Sequence, residues 1–320
     1  MTEPDEPTQP AHPAVLAVDK PTGPTSRRVV DQVGRLLPRG TRLGHAGTLD
    51  PAASGVLVLC LGAATRLIRH LHAAGKSYHA TVRLGAISDT LDAEGTVVET
   101  PDATPPSLEV VRAAVTPLTG RVLQAPPAFS ALKVRGERAY DLARRGESPE
   151  LEPREVRIDR IEVRSYAWPI VELQVDCGSG TYIRSIARDL GEALGVGGLL
   201  QALRRTRVGG FTLADAVPLD ELTPETLPHR LRPARDAVAH LPRLTLKPAQ
   251  LDLVSHGRTL DAARVSGLEA AWDGTEIALL DPDGALAAIG RVELASSRLH
   301  PTCVLPRATL GRLEMGSPDP

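Results

Sequence analysis

Apolar and polar positions along this chain assign most of its elements. VLVLCLG, residues 56–62, is a continuous apolar run ended by glycine, with the length and branching of a buried strand. SYHATVRLG (77–85) alternates instead, so Tyr78, Ala80, Val82 and Leu84 share one face of a strand. VELQVDC (171–177) repeats that rhythm, with Val171, Leu173, Val175 and Cys177 inward. VLAVDKP near the start reads as a short strand entering a turn. Helical spacing follows it: Val29, Val33, Leu36 and Leu37 fall on one face, with Thr25 or Ser26 as N-cap. Ser107 caps a second helix with Leu108, Val111, Val115 and Leu118 inward. A third follows GSGTY, its stripe made by Ile183, Ile186, Ala187, Leu190 and Leu194, with Arg184 and Arg188 pointing elsewhere.

The remaining segments set the organisation. Residues 120–157 are charged and proline-punctuated, which predicts a passage across the surface. LRRTRVGGF (203–211) reads as a basic turn. From 243 the texture changes to short β-like segments, IALLD, AAIGRVEL and PTCVL, separated by DG and PDG turns. The irregular succession of strands and helices predicts an α+β class. The expected division is a disordered tail at 1–12, a main domain at 13–240, a small β module at 243–312 and a C-terminal tail at 313–320.

Composition narrows the classes of function. The 320 residues are 42% hydrophobic, enough for a sizeable core, and only 2% aromatic, so a tyrosine on a strand face stands out. Lys and Arg number 37 against 39 Asp and Glu, a formal net charge of −2. That balance excludes a protein that coats polyanions by bulk charge, and leaves room for a local basic cleft. Cys60, Cys177 and Cys303 are dispersed and form no CxxC pair, which argues against a disulfide framework or zinc site. The N-terminus lacks signal-peptide regions, and no apolar run reaches membrane-spanning length. A soluble, cytoplasmic protein without a membrane partner is expected.

One stretch raises a question of chemistry. LGHAGTLDPAASGVL (43–57) holds a lone carboxylate, Asp50, against Pro51. Asp followed by Pro is a good helix start, and a single capped turn is one reading. The other is a reactive carboxylate. Pro51 restricts Asp50 to extended backbone, Gly44, Ala46 and Gly47 leave room for a ligand, and His45 stands five residues away. A positioned Asp suits nucleophilic or acid–base work. Hydrolases and phosphotransferases share the Asp and His pair, so composition and spacing leave both readings open.

Five motifs, in order, close that gap by resemblance. GHAGTLDPAASGVLVLCLGAATRL (44–67) resembles the catalytic motif of the TruB family of tRNA pseudouridine synthases. VDKPTGPTS, KSYHATVRLGAISDTLDAEG, PPAFSALKVRGERAYDLARRG and GSGTYIRSIARDLGEALG followed by LRR resemble its other motifs, from about 14 to 210. Ala52, Gln201 and Ala202 depart from the family's usual residues and affect pocket packing. The resemblance implies a pseudouridine-synthase fold, a mixed and mainly antiparallel sheet flanked by helices, with a PUA-like RNA-binding β barrel at the C-terminus. It implies isomerisation of the T-loop uridine at position 55 of tRNA by base flipping, with no cofactor and no metal. Asp50 would be the catalytic carboxylate, Arg184 its ion-pair partner, and Tyr78 a stacking platform and proton acceptor at C5. Tyr182 and Leu203 would wall the substrate pocket, His45 would contact RNA, and Lys20 would support the active-site loop or bind substrate. The implied partner is the T-arm of tRNA, with no guide RNA and a monomeric enzyme.

RNA binding would then need local charge. Arg204, Arg205 and Arg207, with Arg184 and Arg188 on the preceding helix, predict a basic cleft; Lys133, Arg135, Arg138, Arg144 and Arg145 mark a second set. Three alternatives stay open: a non-catalytic tRNA-binding or folding protein of the same fold, a guide-dependent synthase, and a small-molecule hydrolase using Asp50 and His45.

Overall fold

A computed structural model of the chain describes residues 13–129, 133–134, 137–138, 145 and 151–306. The expected tails at 1–12 and 313–320 lie outside the described residues, as do Arg135 and Arg144. In the first part of the chain the elements are β1 (Ala14–Lys20), α1 (Ser26–Gly34), β2 (Leu43–His45), β3 (Ser54–Leu61), α2 (Ile68–Ala73), β4 (Lys76–Leu84) and α3 (Leu108–Val115). There follow β5 (Gly120–Gln124), β6 (Arg154–Ala167), β7 (Ile170–Cys177), α4 (Ile183–Ala193), β8 (Gly198–Val208) and β9 (Val217–Pro218). Their sheet runs β9-β1-β3-β8-β4-β7-β6-β5, with β2 paired to β3. Only the β1–β9 and β3–β8 neighbours on this path are parallel. This is the mixed, mainly antiparallel α+β arrangement expected.

The apolar run of β3 has a physical origin in two cores. Val56, Val58 and Cys60 point to one face, where they meet Val15 and Ala17 of β1. Leu57, Leu59 and Leu61 point to the other, against Val29, Val30 and Val33 of α1. With both faces covered, alternation disappears from the sequence. Each such leucine contributes about 1.5–3 kcal/mol by leaving water. On α1, Thr25 is the N-cap, its side chain accepting from the Arg28 amide. A third core joins Tyr78, Ala80, Val82 and Leu84 of β4 to Ile183, Ile186, Ala187 and Leu190 of α4, as the two periodicities predicted.

Two segments differ from expectation. LRRTRV belongs to β8 in the middle of the sheet, not to a turn, because buried carbonyls and nearby carboxylates satisfy its arginines. The chain around 120 and 154 forms β5 and β6, which pair with each other along the sheet edge. An edge strand solvated on its outer side tolerates charges and hides its strand pattern.

The C-terminal sheet contains β10 (Arg243–Thr245), β11 (Leu260–Asp261), β12 (Glu276–Leu280), β13 (Leu286–Glu293) and β14 (Arg298–Val304). It runs β10-β12-β13-β14-β11, with α5 (Pro248–Ser255) beside it. It is not a detached unit: Ala278, Leu280, Leu286 and Ile289 share one core with Val56 and Val58. Arg69 pairs with Glu276 at 3.2 Å, and Arg66 donates to the Val304 carbonyl at 2.6 Å, across the same junction. No helix among the described residues is long and apolar enough to cross a membrane.

Gly55 lies where β3 pairs with β8, in register with Arg205. Its φ is +104°, and a Cβ there would lie 2.1 Å from the Arg205 carbonyl oxygen. Gly55→Ala must therefore distort either the strand pair or the backbone. We expect it to cost about 2 kcal/mol or more, read as a lower urea midpoint at unchanged slope; an unchanged midpoint would refute the close approach.

Candidate active site

The loop 46–53 that carries Asp50 is fixed from three sides. Ser26 at the start of α1 clamps Leu49, its Oγ donating to the carbonyl at 3.0 Å and accepting from the amide at 2.8 Å. Lys20, at the end of β1, is fully buried beneath the loop. Its ammonium donates to the carbonyls of Ala53 at 2.6 Å, Pro21 at 2.9 Å and Pro51 at 3.3 Å. Arg205, 1% exposed on β8, donates to Gly47 O at 3.0 Å, Val56 O at 2.8 Å and Thr48 O at 3.5 Å. Ala53 N–H closes a turn onto the Asp50 carbonyl at 3.1 Å. DPAA is thus a single turn whose purpose is to hold a half-exposed carboxylate outward.

That carboxylate faces Arg184. Its Oδ2 lies 3.1 Å from one guanidinium nitrogen. The sequence stripe put Arg184 away from the apolar face of α4, and it is nevertheless buried. It also donates to the Thr90 and Phe129 carbonyls at 3.1 and 3.0 Å and stands 3.4 Å from Asp92 Oδ2. Asp92 is held in turn by Thr90 Oγ1 at 2.6 Å and the Glu94 amide at 3.1 Å. One guanidinium therefore spans two carboxylates, which fixes its fork and the rotamer of Asp50. Burial, with Asp92 and Asp50 nearby, pushes the Glu94 carboxyl up.

A cavity of about 540 Å³ opens beside this pair, lined by Asp50, Arg184, Tyr78, Tyr182 and Leu203 among others. That volume is in the range of small-ligand sites. Tyr78 forms its floor, buried, with a side-chain hydrogen bond from Arg205. Burial pushes the phenol up more than Arg205 draws it down, so the ring is neutral near pH 7. Tyr182 sits at the N-cap of α4, its amide and carbonyl both bonded to the Gln124 side chain. A larger groove of about 610 Å³ lies between β5 and α4, but its Arg188 and Asp189 pair with each other at 2.6 Å. It brings together no comparable reactive groups.

The structure thus assembles Asp50, Tyr78, Arg184, Tyr182 and Leu203 around one space. Lys20 and His45 are not among its lining residues. Lys20 lies under the loop, bonded to its Pro51 and Ala53 carbonyls. His45 is half-buried on β2 opposite Leu59, with its imidazole pushed down by burial, His72 and Arg205. The arginines expected to make a basic cleft have partners of their own. Arg204 is 2.7 Å from Asp19, Arg207 lies 3.8 Å from Asp176, and Arg205 is enclosed. Asp92, Arg205, Lys76 and His72 were not singled out as site residues. The first three stand inside recognised motifs, so motif membership was the available signal; His72 had none. Among the described residues, no group of His, Cys, Asp and Glu could hold a metal ion.

The family model "TruB family pseudouridylate synthase (N terminal domain)" matches residues 35–183, and "tRNA pseudouridylate synthase B C-terminal domain" matches 184–246. A protein of Mycobacterium sp. (strain KMS) named tRNA pseudouridine synthase B is 50% identical over 275 residues, covering 83% of this chain and 91% of its own. One from Mycobacterium bovis with the same name is 44% identical over 295 residues, covering 90% and 98%. A chain in the crystal structure of a Cbf5-Nop10-Gar1 complex superposes with a TM-score of 0.72 at 27% identity, over 96% of this chain and 92% of that one.

Lys20 gives a test of the loop's foundation. Burial lowers its ammonium from 10.5 to about 8, and Lys76 falls equally far. Between those values the unfolded chain binds more protons than the folded one, so stability rises with pH from about 8 to 10.5. Lys20→Met should flatten this rise, measured by urea unfolding at several pH values. An unchanged slope would show that Lys20 is not buried as a cation.

Proposed function

The chain belongs to the TruB family of pseudouridylate synthases, and on that premise we propose that it isomerises the T-loop uridine of tRNA, position 55, to pseudouridine. It is an isomerase of tRNA. The observation that carries the finer reading is the ion-paired Asp50 at the mouth of a cavity floored by Tyr78.

The reaction breaks the N1–C1′ bond of uridine, turns the uracil, joins C5 to C1′, and exchanges the C5 proton for one at N1. The uracil must first leave its stack, at a cost of a few kcal/mol. A buried aromatic floor repays part of that cost by receiving the base. Tyr78 is the platform; its phenol, neutral at working pH, suits stacking better than proton abstraction. Asp50 supplies the carboxylate that promotes glycosidic cleavage. Arg184 keeps it aimed, because the guanidinium 3.1 Å away holds its rotamer. Tyr182 and Leu203 wall the flipped nucleoside. His45, on the strand leading into the loop, contacts the RNA outside the cavity. Lys20 acts through the loop backbone.

The same reading makes 13–240 the catalytic unit and 243–312 a PUA-like RNA-binding unit. The partner is the tRNA T-arm without a guide RNA, the active form a monomer, and the location the cytoplasm. No cofactor enters the scheme.

The test is tritium release to water from a T-arm stem-loop labelled at uridine C5. Wild type should release label and Asp50→Asn should release none. Release by both would remove Asp50 from its role. No release by either, on stem-loop and full tRNA alike and with RNA still bound, would favour the non-catalytic tRNA-binding protein.

A further inference from the structure

Lys76 is a buried cation on the cavity wall that the scheme above does not use and that, unlike Arg205, does not brace the Asp50 loop. It is 7% exposed, yet it lines the same cavity as Tyr78 and Asp50. Its ammonium donates to His72 O at 2.9 Å and Ala74 O at 3.0 Å, at the C-terminal end of α2. Those bonds use two of its three protons. Among the described residues it forms no ion pair. The charged or titratable groups nearest it are Arg205, which adds positive potential, and the thiol of Cys177. His72, on the same wall, is pushed toward its neutral form by burial, Lys76 and Arg205. A buried ammonium facing a cavity, with a free proton and no carboxylate, is incomplete as a purely structural device.

The facing wall supplies what an anion needs. Cys177, the last residue of β7, pairs in register with Lys76, so the turn 178–181 begins beside the ammonium. Gly178, Ser179, Gly180 and Thr181 line the cavity, with Ser179 and Gly180 exposed. Gly180 has a φ of +85° and open space where a Cβ would stand. The eleven-residue helix α4 follows directly, its first residues on the same wall. The Gly178 amide is bonded to the Arg157 carbonyl and the Tyr182 amide to Gln124, so an incoming anion would meet the amides of the turn between them, ahead of the helix start. Lys76 and Tyr78 lie on one face of β4, about 6.6 Å apart along the strand, a separation on the scale of one nucleotide.

We propose that Lys76 and the turn 178–181 form a subsite for a phosphodiester of the bound RNA, at or next to the flipped nucleotide. The inference rests on the reading above for the RNA itself. Uracil is neutral and does not balance an ammonium; a phosphodiester does. The subsite holds the backbone while Tyr78 holds the base.

The test is a double-mutant cycle in binding, with full-length protein carrying Asp50→Asn so that substrate is not consumed. The probes are a T-arm stem-loop and stem-loops in which one phosphate flanking the target uridine is replaced by a neutral methylphosphonate. Lys76→Met should weaken binding to the native stem-loop about tenfold and reduce the slope of log K against log salt by about 0.7–0.9. One methylphosphonate should cost the parent a similar factor and cost Lys76→Met almost nothing, and Lys76→Arg should recover part of the loss. If the two losses multiply at every flanking phosphate, Lys76 acts only through α2 and the subsite is wrong. Should Lys76→Met fail to fold, Ser179→Asp, at an exposed turn position, carries the test: it should weaken binding and remove sensitivity to the same methylphosphonate, and undiminished binding would refute the subsite. A parent that binds no stem-loop would overturn the functional reading and the subsite together; a parent that binds, with multiplying losses, overturns the subsite alone.

Discussion

The site depends on one buried guanidinium. Arg205 stands at the middle of the sheet, where a cation would ordinarily carry a large desolvation penalty. No carboxylate pairs with it among the described residues. Three backbone carbonyls and the Tyr78 hydroxyl do the work instead. Burial accordingly lowers its pKa, while an arginine still remains charged at any physiological pH. The bonds to Gly47 and Thr48 also satisfy carbonyls of the irregular loop. The arginine and the irregular loop therefore solve each other's problem, and the geometry of Asp50 follows from that exchange. Lys20 repeats the device from the opposite side with three further carbonyls.

Around this centre the sheet acts as a divider. β3 sends alternate side chains into two cores, and β1 beside it does the same with Ala14, Leu16 and Val18 on one face and Val15 and Ala17 on the other. β4 and β7 serve a third core under α4. The loop carrying Asp50 and the helix carrying Arg184 share that third core, through Leu49 and Ala53 of the loop and Ile183 and Ile186 of the helix. At the cavity 3.1 Å separates their charged groups.

Much of this was legible in the sequence, and the reasons are specific. The period-two pattern of Tyr78 to Leu84 and the helical stripe of Ile183 to Leu190 report one-sided burial, which leaves an amphipathic trace. Asp50, Arg184 and Tyr78 came from motif resemblance, and the fold brings them to one cavity. The arginines of LRRTRV misled because burial of a cation by backbone carbonyls has no sequence signature. The strands at 120 and 154 were obscured by charges on a solvated edge. The link from Asp92 to Arg184 crosses ninety-odd residues of chain and depends on the loop 88–95 folding back, which no local pattern specifies.

The core that β12 and β13 share with β3 bears on how such a chain can be divided. Cutting near 242 would not free a tidy module. It would strip cover from Val56, Val58 and Cys60, the same strand whose first residues border the Asp50 loop. The exposed face would be a flat, β-branched apolar surface, the kind that drives chains to self-associate. The C-terminal sheet is therefore a chaperone to its own neighbour as well as a surface of its own, and the two halves must be inherited, expressed and engineered as one body.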